Sequence, residues 1–293
     1  MTLSEAKRLC SQGQQKSAAG DFQGAIAKFE QALKFHPNHY LSLTWLANIM
    51  LHLKRYEEAI SYCDQLLIIR PNYHEALHIR GEAFYELGRY DEALVSLTDA
   101  QKFNPGCANG WQHHGNALLA LKQYNDAIKS FDRVLELDRK DHFAWGKRGA
   151  ALYETGDYEE ALKSSNQALK LQPDNDYYQL VHGLALNNLQ RYEEALENFN
   201  HILKRNPNYH HAWRGKGSAL DALEQYQEAL ISFDKANQEP RCKQTGYGSR
   251  LAPETQDSDA IPKFRRRAAG NLTHTRLKSI LIMLRLGLVE ELF

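Results

Sequence analysis

Cysteine is scarce in this chain. Four residues in 293, Cys10, Cys63, Cys107 and Cys242, stand far apart with no C-x-x-C or paired spacing. That excludes a disulfide framework and points to free thiols in a reducing compartment, so a cytoplasmic location is expected. Long apolar runs are missing as well. The most apolar stretch, 279–293, is broken by Arg285, Glu290 and Glu291 and falls short of the roughly 20 residues that cross a bilayer. Met1 to Cys10 has neither a basic n-region nor an apolar h-region, so no secretory signal is expected there. Net charge is zero, 36 Lys and Arg against 36 Asp and Glu. The balance is uneven along the chain: residues 240–293 carry ten basic against five acidic residues, +5, which leaves −5 on residues 1–239. Binding to a phosphate backbone needs a concentrated basic surface, so nucleic acid is not expected as a partner of the main body.

What is present is a period. An aromatic-x-x-Ala step returns every 34 residues: Phe22/Ala25, Tyr56/Ala59, Tyr90/Ala93, Tyr124/Ala127, Tyr158/Ala161, Tyr192/Ala195 and Tyr226/Ala229. A fixed period of that length indicates stacked helical hairpins, each unit touching mainly its neighbours. Hydrophobic content of 43% and charge of 25% are ordinary for a packed protein, so disorder is not expected over the repeats. Seven units follow, 6–39, 40–73, 74–107, 108–141, 142–175, 176–209 and 210–243.

Within a unit, apolar residues recur at threes and fours, as in Leu43, Leu46, Met50 and Leu53, or Trp111, Leu118 and Leu119. Such spacing places them on one helical stripe, and each unit reads as two helices. The first runs to a turn at Gly20, Gly88 or Gly156, or at Lys54, Lys122, Gln190 or Glu224 in the same place. The second stops near Pro37, Pro71, Pro105, Pro173 or Pro207, because proline lacks an N–H and disfavours helix in the residue before it. Glycine recurs inside the first helix, at Gly13, Gly81, Gly115, Gly149, Gly183 and Gly217, with Ala47 in the second unit. A glycine there costs about 1 kcal/mol against alanine, so packing must require it. The expected neighbour is the regularly placed alanine of the second helix.

Taken together, Trp-x-x-x-Gly-x-x-Leu (from Trp111, Trp145 and Trp213), Tyr-x-x-Ala, an apolar residue four later (Phe29, Phe131, Phe199, Phe233) and a closing proline resemble the tetratricopeptide repeat. The resemblance covers about four-fifths of the chain and implies an all-α, right-handed superhelical solenoid. Departures are local: Gln179 stands at the tryptophan position, Arg139 and Arg241 replace the closing proline, and Cys63 and Ser165 replace the second-helix aromatic. Small shifts of curvature are expected at these places.

The resemblance also implies a binding groove lined by first-helix positions 2, 5, 6, 9, 12 and 13. Mapped onto this sequence these are Trp45, Asn48 and His52; His78, Glu82, Tyr85 and Glu86; Gln112, His113 and Asn116; Phe143, Lys147, Tyr153 and Glu154; Tyr177, Asn187 and Asn188; Arg214 and Asp221. Aromatic rings would supply contact area for a peptide segment of a protein partner, and the amides would bond its backbone. Some of these aromatics could equally pack within the array and bind nothing. The Lys/Asn/Arg clamp with which some family members hold a C-terminal carboxylate is not reproduced, since the first three units offer Cys10, Gln14, Trp45, Glu75 and Ile79 there.

His74-Glu75-Ala76-Leu77-His78 matches H-E-x-x-H, a zinc-hydrolase spacing. Its first half is repeat template, recurring at His142-Phe-Ala-Trp145 and His210-His-Ala-Trp213, and no third ligand is suggested nearby. Neither a metal nor a cofactor is therefore expected. No phosphate loop, Gly-x-Ser-x-Gly elbow or dinucleotide fingerprint occurs either, so the chain reads as non-catalytic.

Beyond the array, 244–263 reads as a flexible linker. Residues 264–293 form a basic amphipathic pattern, with Leu277, Ile280, Leu281, Leu284 and Leu288 on one stripe. That segment has three destinations: a cap on the last repeat, self-association or occupation of the chain's own groove, and attachment to an anionic membrane surface. The apolar ending at Phe293 also leaves open that the chain is part of something longer.

Overall fold

The computed structural model describes residues 3–237. The linker 244–263, the helix expected over 264–293, and Arg241 with the rest of 238–243 lie outside the described residues. Among the described residues all regular structure is helical. The helices are α1 (Leu3–Ala18), α2 (Phe22–Phe35), α3 (Tyr40–His52), α4 (Tyr56–Ile69), α5 (His74–Glu86), α6 (Tyr90–Phe103), α7 (Ala108–Ala120) and α8 (Tyr124–Leu137). They continue with α9 (His142–Thr155), α10 (Tyr158–Leu171), α11 (Asp176–Asn188), α12 (Tyr192–Arg205), α13 (His210–Ala222) and α14 (Tyr226–Asn237). Each 34-residue unit is thus one helical hairpin. Two compact units are present, residues 1–173 holding α1–α10 and the chain from Asp174 on holding α11–α14.

The turn inside each hairpin is made by one left-handed residue. Gly20, Gly88 and Gly156 have φ of 79°, 76° and 85°, and Lys54, Lys122, Gln190 and Glu224 adopt 59–60° in the same place. The residue after it returns an N–H to the carbonyl five positions back, Arg55 to Met50, Arg89 to Phe84 and Gln123 to Leu118. The left-handed residue itself bonds three back, Lys54 to Leu51. This pair of bonds satisfies the last orphan carbonyls of the first helix and reverses the chain.

Second helices end on an extended residue before proline, as at Arg70 (φ −138°, ψ 85°) and Asn206 (φ −127°, ψ 84°). Asp138, which precedes Arg139 and not proline, keeps the same geometry at φ −141° and ψ 99°. Its carboxylate accepts from the Lys140 N–H at 2.8 Å, a local bond that holds the turn where proline is missing. The shift expected at Arg139 is therefore absent from the cap itself.

The recurring glycines meet the expected alanine at Gly149 and, in part, at Gly81, through Ala161 O and Ala93 O at 3.3 Å, and elsewhere they face a ring. A Cβ added at Gly13, Gly115, Gly183 or Gly217 would lie 2.6–2.8 Å from the ring of Phe29, Phe131, Phe199 or Phe233. It is the aromatic four residues beyond the alanine that occupies the notch, and in the third unit Leu97 does so at 2.5 Å from Gly81. Where the first helix carries Ala47, the second carries Cys63, and the two share a buried cluster with Leu43, Leu66 and Ile79. Where Ser165 replaces the ring, the position at Gly149 meets backbone instead, Ala161 O and Ser165 N at 3.3 Å.

Within residues 1–173, consecutive first helices touch one another, α1 with α3, α3 with α5 and α5 with α7, whereas successive second helices meet at most marginally. The first helices therefore line the inside of the bend in that unit. In the other unit α11 and α13 touch in the same way.

Candidate functional site

The residues expected to line a groove are found on the first helices in three conditions. Several are spent on the fold. Tyr85 is buried against Tyr90, with ring centroids 5.5 Å apart, and Tyr153 meets Tyr158 in the same way at 5.6 Å. Trp45 stacks on Phe29 of the preceding unit at 6.0 Å, with the planes 8° apart. Two of these rings are packed within their hairpins and Trp45 is packed between repeats. The amides are partly committed too: Asn48 Nδ2 donates to Thr44 O at 3.1 Å, Asn188 Nδ2 to Leu184 O at 3.0 Å, and Gln112 Nε2 to Asp141 Oδ2.

Other residues remain presented. His52 is exposed at the end of α3, its ring 5.0 Å from Phe22. Phe143 is half-buried and carries the Lys147 ammonium 5.4 Å from its ring centre. Lys147 is only 5% exposed, and burial pushes its pKa down to about 8. In the second compact unit Tyr177 packs against Tyr178 at 5.9 Å and Arg214 is half-buried. Asn187 Nδ2 donates across to Gly215 O at 2.9 Å, while its Oδ1 is buried with no hydrogen-bond partner. Asn116 Oδ1 on α7 is likewise buried and unpartnered.

A third group converges. His78 and Glu82 lie one turn apart on α5, His113 projects from α7, and one ligand atom from each lies within 4.8 Å of the others. The two imidazoles meet edge to face with centroids 5.3 Å apart, and Glu82 Oε2 stands 3.7 Å from His113 Nε2. His78 Nε2 is buried with no hydrogen-bond partner, as is His113 Nδ1. Burial drives both histidines toward the neutral form and raises the Glu82 carboxyl above its usual range.

His74 and Glu75 take no part in this group. Glu75 accepts the Tyr73 hydroxyl at 2.7 Å, and the H-E-x-x-H spacing assembles nothing around His74. The expectation that His78 lacks further donors nearby is corrected by Glu82 and His113. In the register these are positions 5 and 9 of the third unit and position 6 of the fourth, and only the structure shows that those positions face one another.

The tryptophan position has a fixed use. Trp111, Trp145 and Trp213 each donate Nε1–H to the carbonyl six residues earlier, of Pro105, Arg139 and Pro207, at 2.7–2.9 Å. At Gln179 a polar cluster replaces this anchor: the buried amide oxygen accepts from Arg205 at 3.1 Å and pairs with His201 Nδ1 at 3.1 Å.

A chain built of helical hairpins, each with one left-handed turn residue and four of them with a ring set in a glycine notch, repeated every 34 residues, is a helical-repeat protein. Family profiles described as tetratricopeptide repeat match residues 17–83, 74–107, 114–176 and 180–240. The chain belongs to the tetratricopeptide repeat family. Solved structures agree on the fold. YrrB, described as a tetratricopeptide repeat protein with an unusual peptide-binding site, is 21% identical, with 64% of this chain and 97% of that one covered at a TM-score of 0.60. PilF of Pseudomonas aeruginosa is 18% identical over 71% of this chain and 95% of that one, with a TM-score of 0.61. A repeat protein of Parabacteroides merdae is 17% identical over 89% and 97%, with a TM-score of 0.60. No curated protein sequence matches the chain.

Proposed function

We propose that the chain is a non-catalytic interaction scaffold that holds an extended peptide segment of a partner protein on its first-helix face. The observation that carries this is the buried, unpartnered amide oxygen of Asn116 on the first-helix face of residues 1–173. A buried acceptor without a donor costs about 1–3 kcal/mol, and an extended peptide supplies N–H groups at regular intervals along such a surface. In the same unit His52 and Phe143 would then read side chains, while Trp45, Tyr85 and Tyr153 set the spacing of the helices beneath. The peptide-binding site named for YrrB supports the same use of the fold. No described helix is long and apolar enough to cross a membrane.

A photo-crosslinking side chain placed at the exposed His52 would test this, compared with one at Ile68, which is 83% exposed on a second helix. In native lysate the same partner should crosslink from position 52 and fail to do so from 68. Capture from Ile68 alone would sink the proposal and move recognition to the second helices.

A further inference from the structure

We propose that His78, Glu82 and His113 form a binding site for a divalent transition-metal ion of the zinc class on the first-helix face. Two imidazoles and one carboxylate are a donor set that zinc accepts with its fourth position left open, whereas calcium and magnesium require oxygen ligands throughout. The donors sit on two helices that pack against each other, α5 and α7, which is firmer support than loops would give.

Three observations beyond the residue types point the same way. First, His78 Nε2 on α5 and His113 Nδ1 on α7 are both buried with no hydrogen-bond partner, so each ring presents a nitrogen that no protein group answers. Second, the three side chains face one another without a direct hydrogen bond between Glu82 and His113, whose closest approach of 3.7 Å is too long for one. Third, the side chains of His113 and Glu82 are 20% and 26% exposed, which shields the site and still leaves a path for an ion. Ligands on a tetrahedral zinc lie roughly 3.3 Å apart. The donor atoms, all within 4.8 Å of one another, need to close by about 1.5 Å at most to reach that spacing.

This site is distinct from the zinc-hydrolase motif that the sequence suggests. His74 and Glu75 are outside it, and Glu75 is engaged by Tyr73. What it would supply is a cross-link between the third and fourth repeats and one open coordination position on the inner face.

The experiment uses the full chain, stripped with chelator and titrated with zinc chloride by calorimetry, with Co2+ as an optical probe of coordination. Wild type and His74→Ala should each bind one ion per chain and gain thermal stability from it, because an ion held only by the folded state shifts the unfolding midpoint upward. His113→Ala and Glu82→Gln should weaken binding at least about tenfold, as loss of even a supporting residue does at such sites, and should lose the thermal shift. Circular dichroism verifies that both variants keep their helix content, and Glu82→Gln preserves side-chain volume. Wild type that takes up no ion at micromolar zinc would overturn the proposal. So would uptake unchanged in His113→Ala and Glu82→Gln, or abolished by His74→Ala.

Discussion

The Cβ that an alanine would add at Gly115 lies 2.8 Å from the Phe131 ring. Helix propensity alone favours alanine by about 1 kcal/mol, yet overpacking a tight contact costs about 1–3 kcal/mol. Gly115→Ala should therefore lower the urea midpoint. In a Phe131→Cys background, which copies the Ala47/Cys63 pairing of the second unit, the same change should become neutral or stabilising. A double-mutant cycle decides it: an equal penalty in both backgrounds would mean that the ring is not what selects glycine.

That pairing marks how far the sequence could be read. The hairpins, their turns and the seven registers were visible because the signals, Tyr-x-x-Ala, Gly and Pro, repeat where the backbone demands special residues. The glycine's partner was not, because 34-residue spacing says that two positions co-occur and says nothing about which faces which. Among the inner-face residues, Tyr85 reads as a groove residue by its position in the repeat, and in the structure its ring is buried against Tyr90. The meeting of His78 and Glu82 with His113 requires the offset between neighbouring first helices, a tertiary quantity that a one-dimensional period does not carry.

The turn residues offer a second test. Lys122 holds φ at 59°, where its own Cβ is crowded, while Gly20, Gly88 and Gly156 hold the same turn without that strain. Left-handed backbone costs a non-glycine residue about 1–2 kcal/mol, part of which the greater freedom of unfolded glycine takes back. Lys122→Gly should raise the melting temperature, and Gly88→Lys should lower it. Opposite signs in a thermal melt at neutral pH would show that the local conformation does not limit the hairpin.

Thiol reactivity should follow burial. Cys63 is fully buried among Leu43, Ala47 and Leu66, and burial pushes its pKa up to about 12. Cys107 is half-buried at the start of α7. Because the thiolate is the reactive species, a disulfide reagent at pH 8 should label Cys107 quickly and Cys63 only on unfolding. Peptide mapping of the labelled sites checks this order, and rapid labelling of Cys63 in the folded chain would contradict the packing described.

Lys147 gives the clearest pH dependence. It is 5% exposed beside Phe143, and its folded pKa of about 8 lies below the ordinary 10.5 because burial disfavours the charged form. The unfolded chain takes up the proton near pH 10.5 and the folded chain only near 8, so lowering the pH across that window favours unfolding. Below pH 8 the full penalty is present, of order 3 kcal/mol for a shift of this size. Lys147→Met removes the ammonium and keeps most of the chain length, so it should stabilise the fold at pH 7 by up to that amount. The gain should shrink as the pH rises from 8 toward 10.5, where the wild-type lysine becomes neutral in both states. Urea denaturation of both proteins at pH 7, 9 and 10 measures the gain directly. A gain that stays constant with pH would mean that the methionine acts through packing, and a loss at every pH would mean that the Lys147 charge is held by partners strong enough to outweigh its burial.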